Sequence, residues 1–305
     1  YEFYKELASA KVIIENTNIV ERLYAYKKKE QFLLQTWHGS MGIKRLDGDV
    51  VMGFRWKQLA KRCQKTVDYL LSNSNFETEV FRTAYWKDVP SILVGHARND
   101  IFFIKDQEKV ARINKKVHRF LNIDEDTHIF LFAPTHRDDV DESYQPLNYE
   151  MIKEALEERF GGKWQIVIRL HNRLKKESRS WLNLLPSYVS DATFYEDMQE
   201  LLLCTDVGLT DYSSWIFDFV LSGKPGFVIE LNLEDYENAR GFYYPIDTTP
   251  FPIATSSEEL ADNIRKFDAE KYAKDKDVFL AARGCMEDGH ASERIVEKIN
   301  ELMAK

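Results

Sequence analysis

Cysteine is scarce in this chain of 305 residues, which holds only Cys63, Cys204 and Cys285. They are odd in number and widely spaced, with no CxxC pair. That excludes a disulfide framework or a zinc ribbon and predicts reduced thiols of a cytosolic setting. No apolar run approaches the roughly 20 residues that a bilayer-spanning helix needs, and no basic region followed by an apolar core marks a signal sequence. Internal repeats, low-complexity tracts and Gly/Ser linkers are missing too. Positive charge is in deficit: the net charge of −8 argues against a nucleic-acid partner, which would call for a basic face. The local basic clusters at Lys27 to Lys29 and Lys57 to Lys65 read as solvated surface. There is no P-loop and no GxGxxG after the first strand, and no HExxH or Asp-x-Asp pair offers a convincing metal site. Asp138 and Asp139 are adjacent and would point apart on extended backbone, so they read as loop solvation. Metal-independent chemistry is the expectation.

What is present begins with 44% hydrophobic residues and 13% aromatics, enough for a sizeable core and two domains. The organising stretch runs from Asp206 to Ser222, followed at once by Gly223, Lys224 and Pro225. Val207 to Thr210 is a short apolar run, and from Ser213 the apolar residues switch to helical spacing at Trp215, Ile216, Phe219 and Val220. This predicts strand, tight turn, helix, with Ser213 or Ser214 as the N-cap. The first turn of such a helix offers unpaired N–H groups and the positive end of the dipole, a setting for phosphate. A Ser-Ser pair also caps helices that hold no ligand, so its company elsewhere in the chain decides.

The same alternation recurs along the chain. A helical start precedes a strand at Lys11 to Ile14, and Phe32 to Thr36 delivers Trp37-His38-Gly39. A basic helix from about Gly53 to Thr66 leads to a strand at Asp68 to Leu71, a helix at Phe76 to Tyr85 and a strand at Ser91 to Val94 ending in Gly95-His96-Ala97-Arg98-Asn99-Asp100. Residues 105 to 119 form a linker helix. A second series then runs through strands at Ile129 to Ala133, Trp164 to Leu170, Val207 to Thr210 and Gly226 to Glu230, with helices at Tyr149 to Phe160 and Met198 to Cys204. The tail ends in Asp288-Gly289-His290-Ala291-Ser292, capping a helix from about Glu293 to Met303. Two alternating series predict an α/β chain of two Rossmann-like domains facing a cleft, residues 1–104 and 105–305. The first begins mid-pattern, which predicts that its N-terminal part is missing.

Every distinctive polar cluster follows a strand: His38, Arg98-Asn99-Asp100, His136-Arg137, Arg169 with His171, and Thr210 to Ser214. In parallel sheets those ends share one edge. Histidines, arginines and a helix start describe a site for a doubly phosphorylated ligand: Arg169 can fork onto phosphate oxygens, and a neutral His can take a proton from an alcohol. Transfer of a group from a nucleotide diphosphate to a hydroxyl follows as the expected chemistry.

Together these residues resemble the CDP-glycerol:poly(glycerophosphate) glycerophosphotransferase family of teichoic acid and capsule synthesis. The likeness rests on Gln35-Thr36-Trp37-His38-Gly39, Gly95-x-x-Arg98-Asn99-Asp100, Ala133-Pro134-Thr135, Arg169-Leu170-His171, Thr210-Asp211-Tyr212-Ser213-Ser214, Lys224-Pro225, Arg240-Gly241-Phe242-Tyr243 and Asp288-Gly289-x-Ala291-Ser292. It implies a GT-B architecture, with His38 as base toward the acceptor hydroxyl and His171 on the donor phosphates. The Ser213-Ser214 turn would be the phosphate-binding helix start, and Asp288 and Ser292 would lie near the donor. Gly39, Arg98, Arg137, Thr210 and Asp211 complete the substrate-binding set. The implied reaction is attack on the β-phosphorus of a CDP-activated polyol, releasing CMP, with no cofactor. Its implied partners are a CDP-polyol donor and a lipid-linked or polymeric polyol-phosphate or saccharide acceptor, with peripheral attachment at the cytoplasmic membrane face. CDP-ribitol as donor, a GT-B glycosyltransferase using a nucleotide sugar, and a non-catalytic nucleotide- or polymer-binding relative stay open. Where the family carries Trp-His-Gly-Thr-Pro-Leu-Lys this chain has Trp37-His38-Gly39-Ser40-Met41-Gly42-Ile43-Lys44, close enough to the substrates to leave donor and acceptor undecided.

Overall fold

Short runs of Val, Ile, Leu, Phe and Tyr set the strands. In the computed structural model, which describes residues 2–17, 27–50, 53–135, 147–170, 186–230 and 241–305, the chain divides into two compact units. The first comprises residues 1–103, 240–243 and 280–305, and the second residues 104–239 and 244–279.

In the first unit, Val12–Glu15 (β1), Phe32–Gln35 (β2), Tyr69–Ser72 (β3) and Ser91–Leu93 (β4) pair in chain order, all parallel. Parallel neighbours require crossovers, and the helices Phe54–Thr66 and Asn75–Ala84 supply them after β2 and β3. The pleat sends Leu33 and Leu70 to one face, where they meet Cys63, Phe81 and Trp86. It sends Leu34 and Leu71 to the other, against Ile295 and Leu302 of the final helix, Ala291–Met303. Both faces are thereby covered, as a parallel sheet demands.

The second unit contains His128–Phe132 (β5), Trp164–Ile168 (β6), Val189–Asp191 (β7), Val207–Thr210 (β8), Gly226–Ile229 (β9) and Ile253–Ala254 (β10). Their order in the sheet is β10-β9-β8-β5-β6-β7, again all parallel. The chain builds outward from β5 to β7, then returns to lay β8 to β10 on the other side. Strand order thus reverses between β5 and β8, and the carboxyl ends of strands at such a switch point are where open α/β sheets bind ligands. Gly208 lets the next helix close down on β8: a Cβ there would come within 2.9 Å of the Phe219 ring and 3.1 Å of the Trp215 ring.

The expected strands and helices form within a residue or two of their sequence limits. Three differences matter. The division after Phe103 falls beside the boundary read from sequence, but the tail from Leu280, placed by sequence in the second domain, packs on the first unit's sheet. The half-buried β7, the two-residue β10 and the helices Ser257–Arg265 and Ala269–Ala282 were not resolved as separate elements by pattern. Ser214 takes the N-cap position of Trp215–Phe219, yet its side chain makes no capping hydrogen bond. Its φ of −70° and ψ of −14° are already helical, whereas Ser74 and Ser256, in extended conformations, do cap their helices.

Candidate active site

In the first unit the β2 strand ends in an unusual turn. Trp37 has a φ of +52°, a left-handed conformation rare for a bulky residue. The turn presents His38 at the carboxyl end of the sheet. Its Nδ1 lies 2.7 Å from the Asn16 carbonyl oxygen, and the ring stacks on Trp37 with centroids 4.3 Å apart. A carbonyl can only accept, so Nδ1 carries the proton and the basic lone pair sits on Nε2. The His38 side chain is exposed.

His38 lines a pocket of about 210 Å³ together with Asn16, Trp37, Gly95, His96 and Arg98. Arg98 donates from Nη2 to the Gly39 carbonyl at 2.7 Å, fastening the loop after β4 to the turn after β2. The three residues His38, Gly39 and Arg98 expected in the site are therefore brought together.

Beneath the pocket lies a polar network. Glu77, 2% exposed, accepts from the Asn73 N–H at 2.8 Å and pairs with His96 Nε2 at 2.9 Å. Glu287, from the tail, accepts from Asn73 Nδ2 (3.0 Å), Asn99 Nδ2 (2.8 Å) and the His96 N–H (3.2 Å). Gly95 must be glycine here: its φ is +87°, and a Cβ would lie 2.9 Å from Glu287 Oε2. Sequence reasoning passed over Glu77 and Glu287, since neither follows a strand.

Asp288 and Ser292 also belong to this unit. Arg294 pairs with the Asp288 carboxylate through both oxygens and holds it below the ordinary carboxylate range. The Asp100 carboxylate accepts from the Ala291 N–H (2.9 Å) and the Ser292 N–H (2.7 Å), filling the start of the 13-residue final helix. An anion there is favoured by the helix dipole, and the chain supplies its own.

In the second unit, Thr210, Asp211, Ser213 and Ser214 stand at the switch point between β5 and β8. Thr210 Oγ1 donates to the Ala133 carbonyl at 2.8 Å, as does Trp215 Nε1 at the same distance. Asp211, 2% exposed, receives three bonds on Oδ1: from the Thr135 N–H (2.8 Å), Thr135 Oγ1 (2.7 Å) and the Tyr212 N–H (2.6 Å). Thr210 and Asp211 thus tie the end of β8 to the end of β5, and Ser213 and Ser214 lie half-buried on the turn they support. Arg169 donates from Nη1 to the carbonyls of Ala192 (3.0 Å) and Tyr195 (2.5 Å). Burial pulls its guanidinium below the ordinary value, opposed by Asp197 and Asp191. Arg137, His136, Asp138, Asp139 and His171 lie outside the described residues. Among the described residues no group of three or more His, Cys, Asp or Glu could hold a metal ion.

Two parallel sheets in successive units, with polar residues gathered where their strands end, define a GT-B-like α/β chain. Residues 1–301 match the CDP-glycerol:poly(glycerophosphate) glycerophosphotransferase family, and the chain belongs to it. The chain is 30% identical to a teichoic acid poly(glycerol phosphate) polymerase of Staphylococcus epidermidis over 98% of its own length, spanning 42% of that protein. It is likewise 30% identical to a teichoic acid glycerol-phosphate transferase of Staphylococcus aureus, covering 98% of this chain and 78% of the relative. Among solved structures, the wall teichoic acid polymerase TagF after a soak with CDPG superposes with a TM-score of 0.80 and 29% identity, over 98% of this chain and 75% of that one.

Proposed function

We propose that this chain transfers glycerol phosphate from CDP-glycerol to a hydroxyl of a lipid-linked or polymeric acceptor. His38 Nε2 takes the hydroxyl proton as the acceptor oxygen attacks the β-phosphorus. A new P–O bond forms, the bond to CMP breaks, and CMP leaves with the electron pair. Arg98, lining the same pocket, supplies a cation for phosphate oxygens. By family resemblance His171 and the Ser213-Ser214 turn hold the donor phosphates, and Arg137 is a further substrate-binding candidate. Positioning and charge stabilisation then carry the reaction, as in phosphoryl transfer generally. No cofactor or metal enters the scheme.

The observation that carries this reading is the hydrogen bond from His38 Nδ1 to the Asn16 carbonyl, which leaves Nε2 as the basic nitrogen at the pocket. Glycerol is favoured over ribitol because the relatives quoted above are named for glycerol phosphate. A lipid-linked acceptor places the work at the cytoplasmic membrane face, and we propose peripheral attachment there. Among the described residues no helix is long and apolar enough to cross a membrane.

Thermal-shift titration with CDP-glycerol, CDP-ribitol, CDP, UDP-glucose and GDP-mannose tests the donor. A ligand binding only the native state stabilises it by about 2.7 kcal/mol at 100 times its Kd. Stabilisation by CDP-glycerol above CDP-ribitol and both sugar nucleotides is expected. A response confined to UDP-glucose or GDP-mannose would move the chain to the sugar transferases.

A further inference from the structure

Gln35 closes β2 and is fully buried, 0% exposed, two residues before the left-handed Trp37 and three before His38. Its carboxamide makes three bonds. Oε1 accepts from the Trp37 N–H at 2.8 Å, while Nε2 donates to the Thr17 carbonyl at 2.6 Å and to Glu15 Oε1 at 3.0 Å. The backbone around it runs the same way: the Thr36 N–H donates to the Glu15 carbonyl at 2.9 Å.

These bonds fall on both sides of the hydrogen bond between His38 Nδ1 and the Asn16 carbonyl. The acceptor of that contact is the carbonyl of Asn16, whose two chain neighbours, Glu15 and Thr17, are the residues Nε2 holds. The donor is the ring of His38, whose preceding residue Trp37 is held by Oε1 in a backbone conformation that bulky side chains avoid. A strained backbone persists only where its surroundings over-determine it. Here the ring of Trp37 adds to the restraint, packing on Trp86 and Tyr85 at 5.5 and 5.8 Å between centroids.

From this arrangement we infer that Gln35 is the positioning residue of the transfer reaction, one buried amide aligning both ends of the His38 hydrogen bond and so fixing where Nε2 points. This rests on the reading of His38 as the base. The amide is required as an amide. Glutamate at this position could still accept from the Trp37 N–H, but where the amide offers two protons to the Thr17 carbonyl and the Glu15 carboxylate, an ionised glutamate offers none and a protonated one only one.

The test is Gln35→Glu in the purified chain, with kcat and KM measured from CMP release and the His38 tautomer read from its ring ¹⁵N shifts. A displacement of about 1 Å in a reacting group can cost ~10²-fold, so we expect kcat to fall by about that factor with KM for CDP-glycerol little changed. The ¹⁵N shifts should move from a single Nδ1–H form to a mixture. In a His38→Ala background the same substitution should cost nothing further, because residues acting as one unit are non-additive. Wild-type kcat and an unchanged tautomer in folded Gln35→Glu would overturn the inference, as would a full additional loss in the His38→Ala background. Should Gln35→Glu fail to fold, Glu15→Ala removes one of the three bonds: a several-fold fall in kcat is expected, and an unchanged kcat overturns the inference. Activity surviving His38→Ala would sink the underlying reading instead, so the two failures are distinguishable.

Discussion

Asp211 separates two accounts of the switch point, ligand contact and internal anchor. Its carboxylate receives three hydrogen bonds on one oxygen, two of them from Thr135, 76 residues earlier in the chain. Asp211→Ala removes all three, taking the carboxylate acceptor away from the N–H groups of half-buried Thr135 and buried Tyr212. A hydrogen bond to a charged group contributes about 1.5–3 kcal/mol net. Three such bonds would overcount, because the carboxylate's own desolvation cost disappears with it and water can reach part of the gap. A loss of about 3 kcal/mol is the expected size, at the upper end of the ~1–3 kcal/mol that an unsatisfied buried donor costs. Asp211→Asn keeps an acceptor oxygen and should lose about 1 kcal/mol. The assay is urea unfolding followed by far-ultraviolet circular dichroism, read as the shift in midpoint at constant slope, with CDP-glycerol affinity measured in parallel. If Asp211→Ala left stability within about 0.5 kcal/mol of wild type while abolishing donor binding, the anchor argument would be wrong and Asp211 would be a ligand contact.

Further outcomes follow from the packing and the ionisable groups. Leu302 is fully buried against the first unit's sheet, so Leu302→Ala should destabilise that unit by about 2–5 kcal/mol and shift the unfolding transition seen by Trp37 and Trp86 fluorescence; an unchanged transition would mean the tail does not cover that face. Burial pushes the thiol of Cys204 up to about 12 and that of Cys285 up to about 11, and it raises Tyr149 and Tyr272 in the same direction. Raised acids keep their protons longer when folded, so this stability is fully present below about pH 9. It is lost as pH climbs through the folded values. Urea midpoints should therefore decline between about pH 9 and 11, less steeply in a Cys204→Ala, Cys285→Ala double variant; a flat midpoint across that window would contradict the burial argument.

The fold was legible because strands of this kind are written locally. Val207 to Leu209 and Ile166 to Ile168 are continuous apolar runs, and such runs are what strands covered on both faces require. Val189–Asp191 escaped because Val-Ser-Asp has no apolar run and only half-buries its side chains. The final helix was visible from its spacing, but its partner was not, since periodicity gives a face and never names the sheet that receives it. The site shows the same limit. His38 and Arg98 could be named because polar residues after strands collect at one sheet edge. Whether such a residue contacts a ligand or anchors the chain depends on partners far away in sequence: Thr135 for Asp211, and Asn73, 214 residues from Glu287. Gln35 reads as the last residue of a strand, and only its three bonds show that it spans the turn.

The most direct measurement of the central claim is CMP release from CDP-glycerol, with a glycerol phosphate oligomer as acceptor, by wild-type chain and by folded His38→Ala. General-base catalysis contributes about 10²–10⁴-fold, so the variant should lose at least ~10²-fold in kcat while still binding CDP-glycerol. Undiminished CMP release from His38→Ala would contradict the account at its base.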